Sequence, residues 1–246
     1  MFAALRSVLS SSRFYGFATV GIAGAAIIVG GALLLRGPDL TLAPELAPQA
    51  VALPDGRALY VQRYEVTIAE WNTCFEQGGC SVELRARPDQ DPMAVPATGL
   101  NYMDAQEYVS WISGATHHDW RLPTSQEWAF MAQPVLPEEP DPIFTDPALT
   151  WASSYLVEGL ASRTLKPQGS FATSPEGIVD LDGSVWEWTA ECYSNDVDES
   201  RCPAFYVGGE HVAAISFLVR DPARGGCAVG TPPAHLGMRL VTDHKL

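Results

Sequence analysis

The strongest hydrophobic signal in the chain is a run of 22 residues without a charged side chain, from 14 to 35. As an α-helix this run would extend about 33 Å at roughly 1.5 Å per residue, enough to cross a hydrocarbon core of about 30 Å. A cleaved signal peptide, the alternative, has a shorter apolar region of about 7–15 residues that is followed closely by small residues. The pattern predicts one transmembrane helix over residues 14–35.

The basic residues around this run predict its orientation. Arg6 and Arg13 precede the run, and Arg36 follows it. Because basic residues tend to remain in the cytoplasm, residues 1–13 should be cytoplasmic and the rest of the chain exported. The predicted location is the bacterial inner membrane, with a single pass and a periplasmic domain.

Small residues recur four positions apart within the run, as Gly21 with Ala25 and Ala26 with Gly30. Such pairs let a second helix approach closely in a membrane. We therefore expect the predicted helix to contact a membrane protein complex.

Residues 36–55 contain four prolines, which is typical of a semi-rigid tether, and a folded domain is predicted over residues 56–246. Alternating apolar positions over 58–66 predict a strand. Two capping boxes and one helical periodicity predict three helices, at Thr67 with Glu70, at Thr124 with Glu127, and at Ala105, Tyr108, Val109 and Ile112. Short strands are expected over 204–209, 215–220 and 236–241, after an aperiodic stretch over 133–176. The predicted class is α+β with much irregular structure.

The excess of acidic residues in the predicted exported part indicates which class of partner it could bind. Beyond Arg36 the chain carries 12 basic and 29 acidic residues, a net charge of −17. This excess of acid argues against nucleic acid and favours a basic protein, for example a periplasmic c-type cytochrome. The acids concentrate over 136–149 and 193–201, in predicted loops that we expect to be exposed. A solvated acidic surface without a specific partner is the alternative.

The cysteines indicate an oxidising compartment. Cys74 with Cys80, and Cys192 with Cys202, each enclose a short segment of turn-forming residues, which predicts two local disulfides. A zinc site would require a closer cysteine spacing and nearby histidines. Cys227 is left over.

Five ordered motifs over roughly residues 55–242 resemble the formylglycine-generating enzyme family, whose fold is related to that of C-type lectins. The segments that carry the resemblance are YEVTIAEW at 64–71, VPATGLNYMDAQEYVSWI at 95–112, WRLPTSQEWAFMA at 120–132, GIVDLDGSVWEWTAECY at 177–193, and the closing GG at 208–209 with LGMRLV at 236–241. The resemblance implies a single domain of that fold, to which the transmembrane helix is an addition.

The GSVWEW segment, residues 183–188, places two indoles on either side of Glu187. Two tryptophans at this spacing are more typical of a core than of a catalytic site, because each indole can bury a large area. Glu187 is then either a surface acid or the partner of a buried arginine such as Arg121 or Arg239, since an unpaired buried charge is costly.

The resemblance also implies a calcium site in these loops, with Asp180, Asp182, Ser184 and Glu187 as candidate ligands. Family members have an asparagine where this chain has Ser184. A hydroxyl is a poorer calcium ligand than an amide carbonyl, so the three carboxylates would have to compensate. The sequence establishes no cofactor, and calcium is the one candidate.

The family's enzymes use two cysteines, which bind copper(I) and oxidise a substrate cysteine with oxygen. The resemblance places this pair near Leu218 and Ala223, and neither residue has sulfur. Cys227 is the only thiol in the segment. We therefore expect no catalytic residues of the family type and no formylglycine chemistry.

Iron chemistry would require two histidines and a carboxylate. Adjacent His117 and His118 should point apart in a loop. His211 and His235 could converge with Glu210, and His244 is the remaining histidine. Nothing in their spacing demands a metal site.

Three functional hypotheses follow. The first is a membrane-anchored, non-catalytic module that serves as an accessory or assembly subunit of a membrane complex, with electron transfer as one role. The second is a periplasmic metal-dependent oxidoreductase or maturation enzyme. The third is a ligand-binding, lectin-like receptor, which rests on analogy of fold alone.

Overall fold

The computed structural model describes residues 37–136, 164–194, 201–209, 212–220 and 235–246. Within these ranges no helix has the length and apolar character needed to cross a membrane. The predicted transmembrane helix, residues 14–35, lies outside them.

The described residues form three α-helices, and a capping box starts each of them. The helices are α1 (Ile68–Glu76), α2 (Tyr102–Thr116) and α3 (Ser125–Ala132). The boxes predicted at Thr67 and Thr124 are confirmed, and Asn101 starts α2 in the same way. In each box the side chain of the first residue accepts from a backbone N–H three residues later, which satisfies a donor that the helix leaves unpaired.

The strands form two small sheets. They are β1 (Val51–Ala52), β2 (Ala58–Val61), β3 (Trp186–Cys192), β4 (Ala204–Gly208), β5 (Ala213–Ser216), β6 (Leu236–Gly237) and β7 (Val241–Thr242). One sheet has the order β1-β2-β7, and the other has the order β5-β4-β3-β6. All pairs are antiparallel except β3 with β6. The α+β class is confirmed.

Several strands are shorter than their apolar patterns predict. The strand predicted over 58–66 ends at Val61, and the pattern over 236–241 divides into β6 and β7, which join different sheets. Within the predicted range 133–176, the described residues 133–136 and 164–176 contain no named helix or strand.

The predicted tether is wrong for residues 39–55, because this segment packs into the domain. Asp39 N–H donates to the Ala115 carbonyl at 2.8 Å, and Ala47 N–H donates to the Val61 carbonyl at 2.8 Å. Residues 51–52 then pair with β2 as β1. The compact unit accordingly begins at Asp39. The prolines permit this because they lie outside the two residues of β1, where a strand needs its N–H groups.

The core contains two hydrophobic clusters. One is built around Trp71, Tyr108 and Trp188, and the other around Leu59 and Trp128. Two glycines let indoles approach the backbone at the end of β4. A Cβ on Gly208 would lie 2.1 Å from the Trp128 ring, and one on Gly209 would lie 2.3 Å from the Trp186 ring. The GG motif therefore packs against one indole from α3 and one from the WEW motif.

Candidate functional site

The WEW segment forms β3 and lies in the centre of the domain. Trp186 and Trp188 are 5% and 0% exposed. The Trp188 indole N–H donates to the Leu100 carbonyl at 2.9 Å, so its polar edge is satisfied as well. The interpretation of this motif as core is confirmed.

Glu187 is the partner of a buried arginine, and that arginine is Arg239. Both side chains are essentially inaccessible to solvent. Arg239 Nε and Nη2 donate to Glu187 Oε1 at 3.0 and 2.9 Å, and the Trp128 indole donates to Oε2 at 2.8 Å. The other candidate, Arg121, makes its ion pairs with Glu127 and Asp243 instead.

The remaining donors of Arg239 bind three backbone carbonyls in two segments. Nη1 donates to the carbonyls of Gln62 and Arg63 at 3.0 and 2.7 Å, and Nη2 donates to that of Val179 at 2.9 Å. All five N–H groups of the guanidinium thus have acceptors, which is the condition under which a buried charge is tolerated. Arg239 joins the end of β2, the loop before β3 and β3 itself.

Glu65 is a second carboxylate beside Arg239, and sequence analysis missed it. Its Oε2 is 3.7 Å from Arg239 Nη2, and it is a buried oxygen without a hydrogen-bond partner. Burial raises the pKa of Glu65 to about 8, against the opposing effect of Arg239, and the negative charge of Glu187 raises it further. The raised pKa favours the protonated form of Glu65. Its position in the YEVT motif gave no sign of this, because the other charges belong to distant segments.

Three of the four predicted calcium ligands hold a neighbouring loop. Asp180 accepts the backbone N–H groups of Gly169 and Phe171, at 2.5 and 2.7 Å. Asp182 accepts Ala172 N–H at 3.0 Å, and the Ser184 hydroxyl accepts the N–H of residue 166 at 3.2 Å.

These hydrogen bonds use carboxylate oxygens that a calcium ion would require, and Glu187 is engaged with Arg239. Asp180 itself has a φ of 65°, a left-handed conformation in which aspartate is tolerated. Across the described ranges, no three histidine, cysteine, aspartate or glutamate side chains group as metal ligands. The described contacts do not fit the predicted calcium site, so calcium binding stays a prediction and we derive no step from it.

The described histidines also have structural roles. His117 ends α2 in the left-handed conformation, with a φ of 52°. The His118 ring Nε2 lies 3.1 Å from the His244 carbonyl and 3.0 Å from the Thr242 hydroxyl. The His235 carbonyl accepts Trp186 N–H at 2.9 Å. Glu210 and His211 lie outside the described residues, so their predicted convergence with His235 stays untested.

Both predicted disulfides, Cys74–Cys80 and Cys192–Cys202, are present. The first links α1 to the turn that follows it, and the second links β3 to the residues just before β4. Cys227 lies outside the described residues.

The turn after β5 is attached to the first turn of α2. Tyr102 N–H donates to the Phe217 carbonyl at 3.1 Å. Arg220 donates from Nε and Nη2 to the two oxygens of Asp104, each at 2.7 Å, while Asp104 also accepts Asn101 N–H as part of the cap. This bidentate pair, which sequence analysis missed, joins residues 116 positions apart.

This attachment leaves two apolar side chains on the surface. Leu218 is 63% exposed and Met103 is 52% exposed, and they follow Phe217 and Tyr102 directly in the chain. Tyr102 in contrast is buried and stacks on Phe205, with ring centroids 3.5 Å apart. This part of the domain therefore combines a buried aromatic pair, Tyr102 with Phe205, and two exposed apolar side chains.

Residues 17–244 match the family model described as the sulfatase-modifying factor enzyme 1-like domain. The chain belongs to this family. It is 28% identical over 179 residues to the formylglycine-generating enzyme of Mycobacterium tuberculosis, and 24% identical over 174 residues to that of Thermomonospora curvata. Each match covers 60% of this chain but only 57% and 55% of the respective enzyme.

The fold of this sulfatase-modifying factor enzyme 1-like domain is similar to that of PvdO from Pseudomonas aeruginosa. The TM-score is 0.53 at 16% sequence identity, over 76% of this chain and 80% of PvdO. At this identity the likeness concerns the fold alone.

The described residues offer no free thiol to copper(I), and Cys227 lies outside them. Leu218, where the first thiol is expected, is an exposed hydrocarbon. Ala223, the second position, lies outside the described residues and carries no sulfur. The four described cysteines are consumed in disulfides, so they offer no thiolate to a soft metal ion.

Proposed function

We propose that this chain is a non-catalytic module of the sulfatase-modifying factor fold, anchored in the bacterial inner membrane, that acts as an accessory or assembly subunit of a membrane complex. The observation that carries the proposal is the exposure of Leu218, near which the resemblance to the family places the first thiol. An apolar side chain there cannot bind copper(I), but it can contact a protein surface.

The surroundings of Leu218 support a role in contact rather than in chemistry. The turn is fixed by Tyr102 and by the bidentate pair of Arg220 with Asp104. A fixed surface loses little conformational entropy on binding, which favours association. Met103, in the turn of α2 that contacts this segment, is a second exposed apolar side chain, and exposed apolar patches mark interaction sites.

The location and the partner remain as the sequence predicts them. The two disulfides suit an oxidising compartment. The excess of acid beyond Arg36, a net charge of −17, would attract a basic soluble protein such as a c-type cytochrome, and salt would weaken this attraction. An electron-transfer complex is therefore the class of assembly that we would examine first.

The absence of family chemistry has a direct test. Full-length protein is incubated with copper, oxygen and a cysteine-containing sulfatase peptide, and the peptide mass is measured. We expect no conversion to formylglycine. Conversion that depends on the protein would overturn the non-catalytic assignment.

The accessory role is tested by gentle detergent extraction, native electrophoresis and mass spectrometry. We expect the wild-type chain to migrate with other membrane proteins and Leu218→Asp to migrate alone. Leu246→Asp is the matched control, because Leu246 is also exposed, at 50%, and lies at the end of the chain. If the wild-type chain migrates alone, or if both variants behave alike, the proposed contact is wrong.

A further inference from the structure

A cleft of about 350 Å³ lies between the segment after α1 and a second segment that includes residues 164 and 165. Its polar lining includes Arg85, Arg87 and Gln90, and no aspartate or glutamate is among the described residues that line it. In a chain with a net charge of −14, two arginines without a lining carboxylate form an unusual local concentration of positive charge.

The two guanidinium groups are available for a ligand. Arg85 reaches only Glu83, at 3.4 Å, and both side chains are at least half exposed, at 84% and 50%. Exposed pairs of this kind contribute little, on the order of 0–1 kcal/mol. The Arg87 side chain has neither an ion pair nor a hydrogen bond to any described residue.

Apolar side chains also line the cleft. Leu84 and Leu165 are partly buried and Ile68 is buried, and all three line the cleft. A ligand that contacted both the arginines and these apolar side chains would need an anionic group and an apolar body. The volume is at the small end of ligand pockets, which span about 300–1,000 Å³, so that body should be no larger than a single ring or a short chain.

The arginine-bearing wall is held in place before any ligand binds. Asn72 on α1 donates to the Leu84 carbonyl at 2.8 Å and accepts Leu84 N–H at 3.0 Å. The Trp71 indole donates to the Val82 carbonyl at 2.7 Å. The Cys74–Cys80 disulfide closes the intervening turn.

The segment that contributes Thr164 and Leu165 to the cleft has its own hydrogen bonds to the domain. Gln168 N–H donates to the Ala94 carbonyl at 2.7 Å, and the Gln168 side chain donates to the Glu65 carbonyl at 2.8 Å. Walls that are already ordered lower the entropy lost on binding. Both segments that line the cleft are thus hydrogen-bonded to the rest of the domain without a ligand.

We propose that this cleft binds a small organic anion, a carboxylate or a phosphate ester, with its charged group at Arg85 and Arg87 and its apolar body against Ile68, Leu84 and Leu165. A guanidinium suits either group because its planar N–H donors can bind two oxygens of the anion at once. This site is separate from the surface around Leu218, and the inference goes beyond the accessory role proposed above.

Isothermal titration calorimetry of the full-length protein with three probes tests the proposal. The probes are benzoate, phenyl phosphate and inorganic phosphate. We expect saturable binding of benzoate or phenyl phosphate and at least tenfold weaker binding of inorganic phosphate, which lacks the apolar body. The stronger of the two aromatic probes identifies the anionic group as carboxylate or phosphate.

Variants connect the binding to the cleft. Arg87→Gln should weaken binding roughly tenfold or more, as the loss of a charge-assisted hydrogen bond predicts. The affinity of Arg87→Lys should lie between that of the wild type and that of Arg87→Gln, because lysine keeps the charge but not the paired N–H donors. Arg201→Gln is the matched control, because Arg201 is exposed and does not line the cleft.

Three outcomes would overturn the inference. They are no binding of either aromatic probe by the wild-type protein at about 20 mM, equal binding of inorganic phosphate, and equal loss of affinity in Arg87→Gln and Arg201→Gln. Circular dichroism of each variant shows whether it has folded. Because the substituted arginines are exposed, we expect native spectra.

Discussion

Arg239 and Arg87 carry the same guanidinium group in opposite situations. Arg239 is fully buried, and each of its five N–H groups has an acceptor. Arg87 is exposed, and no described residue accepts a hydrogen bond from its side chain. Arg239 connects segments of the fold, whereas the N–H donors of the Arg87 side chain remain available to a ligand.

The difference shows how to separate structural from functional charge in this domain. A saturated buried ion has no donor left for a ligand, so its removal should affect stability. An exposed arginine in a cleft contributes little to stability, so its removal should affect binding instead. The following substitutions test this division, from the largest expected effect to the smallest.

Arg239→Met should give the largest loss. It leaves Glu187 buried without its counter-charge and frees the carbonyls that Arg239 now binds, so we expect a loss near the upper end of about 3–5 kcal/mol. Urea unfolding of the full-length protein in detergent, followed by tryptophan fluorescence, measures it. Arg87→Met, the matched control, should change the free energy of unfolding by less than about 0.5 kcal/mol. Similar losses in the two variants would contradict the comparison.

Glu65→Gln should alter how stability depends on pH. The folded-state pKa of Glu65 is about 8, above its ordinary value of 4.5, so the folded protein keeps a proton that the unfolded chain has released across this interval. Stability therefore falls as pH rises through the interval, by roughly 1.4 kcal/mol per pH unit, or about 2–3 kcal/mol between pH 6 and pH 8.

The glutamine cannot titrate, so this part of the pH dependence should disappear. Above pH 8 the stability of the variant should therefore increase relative to that of the wild type. Urea midpoints at a series of pH values provide the measurement. Glu83→Gln is the control, because Glu83 is half exposed. An unchanged pH dependence in Glu65→Gln would show that Glu65 is ionised in the folded protein.

Asn72→Ala should give the smallest loss. The change removes two hydrogen bonds between α1 and Leu84, for which we expect about 1–2 kcal/mol. Hydrogen exchange at Leu84 N–H should become faster, since this amide loses its acceptor. Asn72→Asp keeps the acceptor for that N–H, so exchange there should remain slow. If both variants exchange alike, the side chain does not hold this wall of the cleft.

The features that the sequence predicted well are those that depend on near neighbours or on one strong physical requirement. The two disulfides close short loops, and the capping boxes at Thr67 and Thr124 join residues three apart. For Glu187 the sequence left two possibilities, a surface acid or the partner of a buried arginine such as Arg121 or Arg239, because a buried charge requires a partner. The choice of Arg239 over Arg121 needed the structure, since both lie far from Glu187 in sequence.

The features that the sequence did not predict depend on contacts between distant segments. Asp104 and Arg220 are separated by 116 residues, and the cleft is lined by separate stretches from residue 68 to residue 235. Periodicity describes one element at a time and contains no record of such pairings. The packing of the N-terminal segment did have a local signal that was missed: Pro54-Asp55-Gly56 is a turn sequence, and it connects the paired strands β1 and β2.

The attachment of residues 39–52 also has a mechanical consequence. Their hydrogen bonds to the domain follow one another along the chain, from Asp39 through Glu45 and Ala47 to the pairing of β1 with β2. A pulling force applied at Gly37 would load these bonds in succession, so the segment should peel away at low force while the Arg239 centre stays intact. The released chain from Asp39 to Ala52 would add roughly 45 Å of length at about 3.3–3.6 Å per residue. The release of this segment would appear as steps in the extension of the chain, which optical tweezers could record.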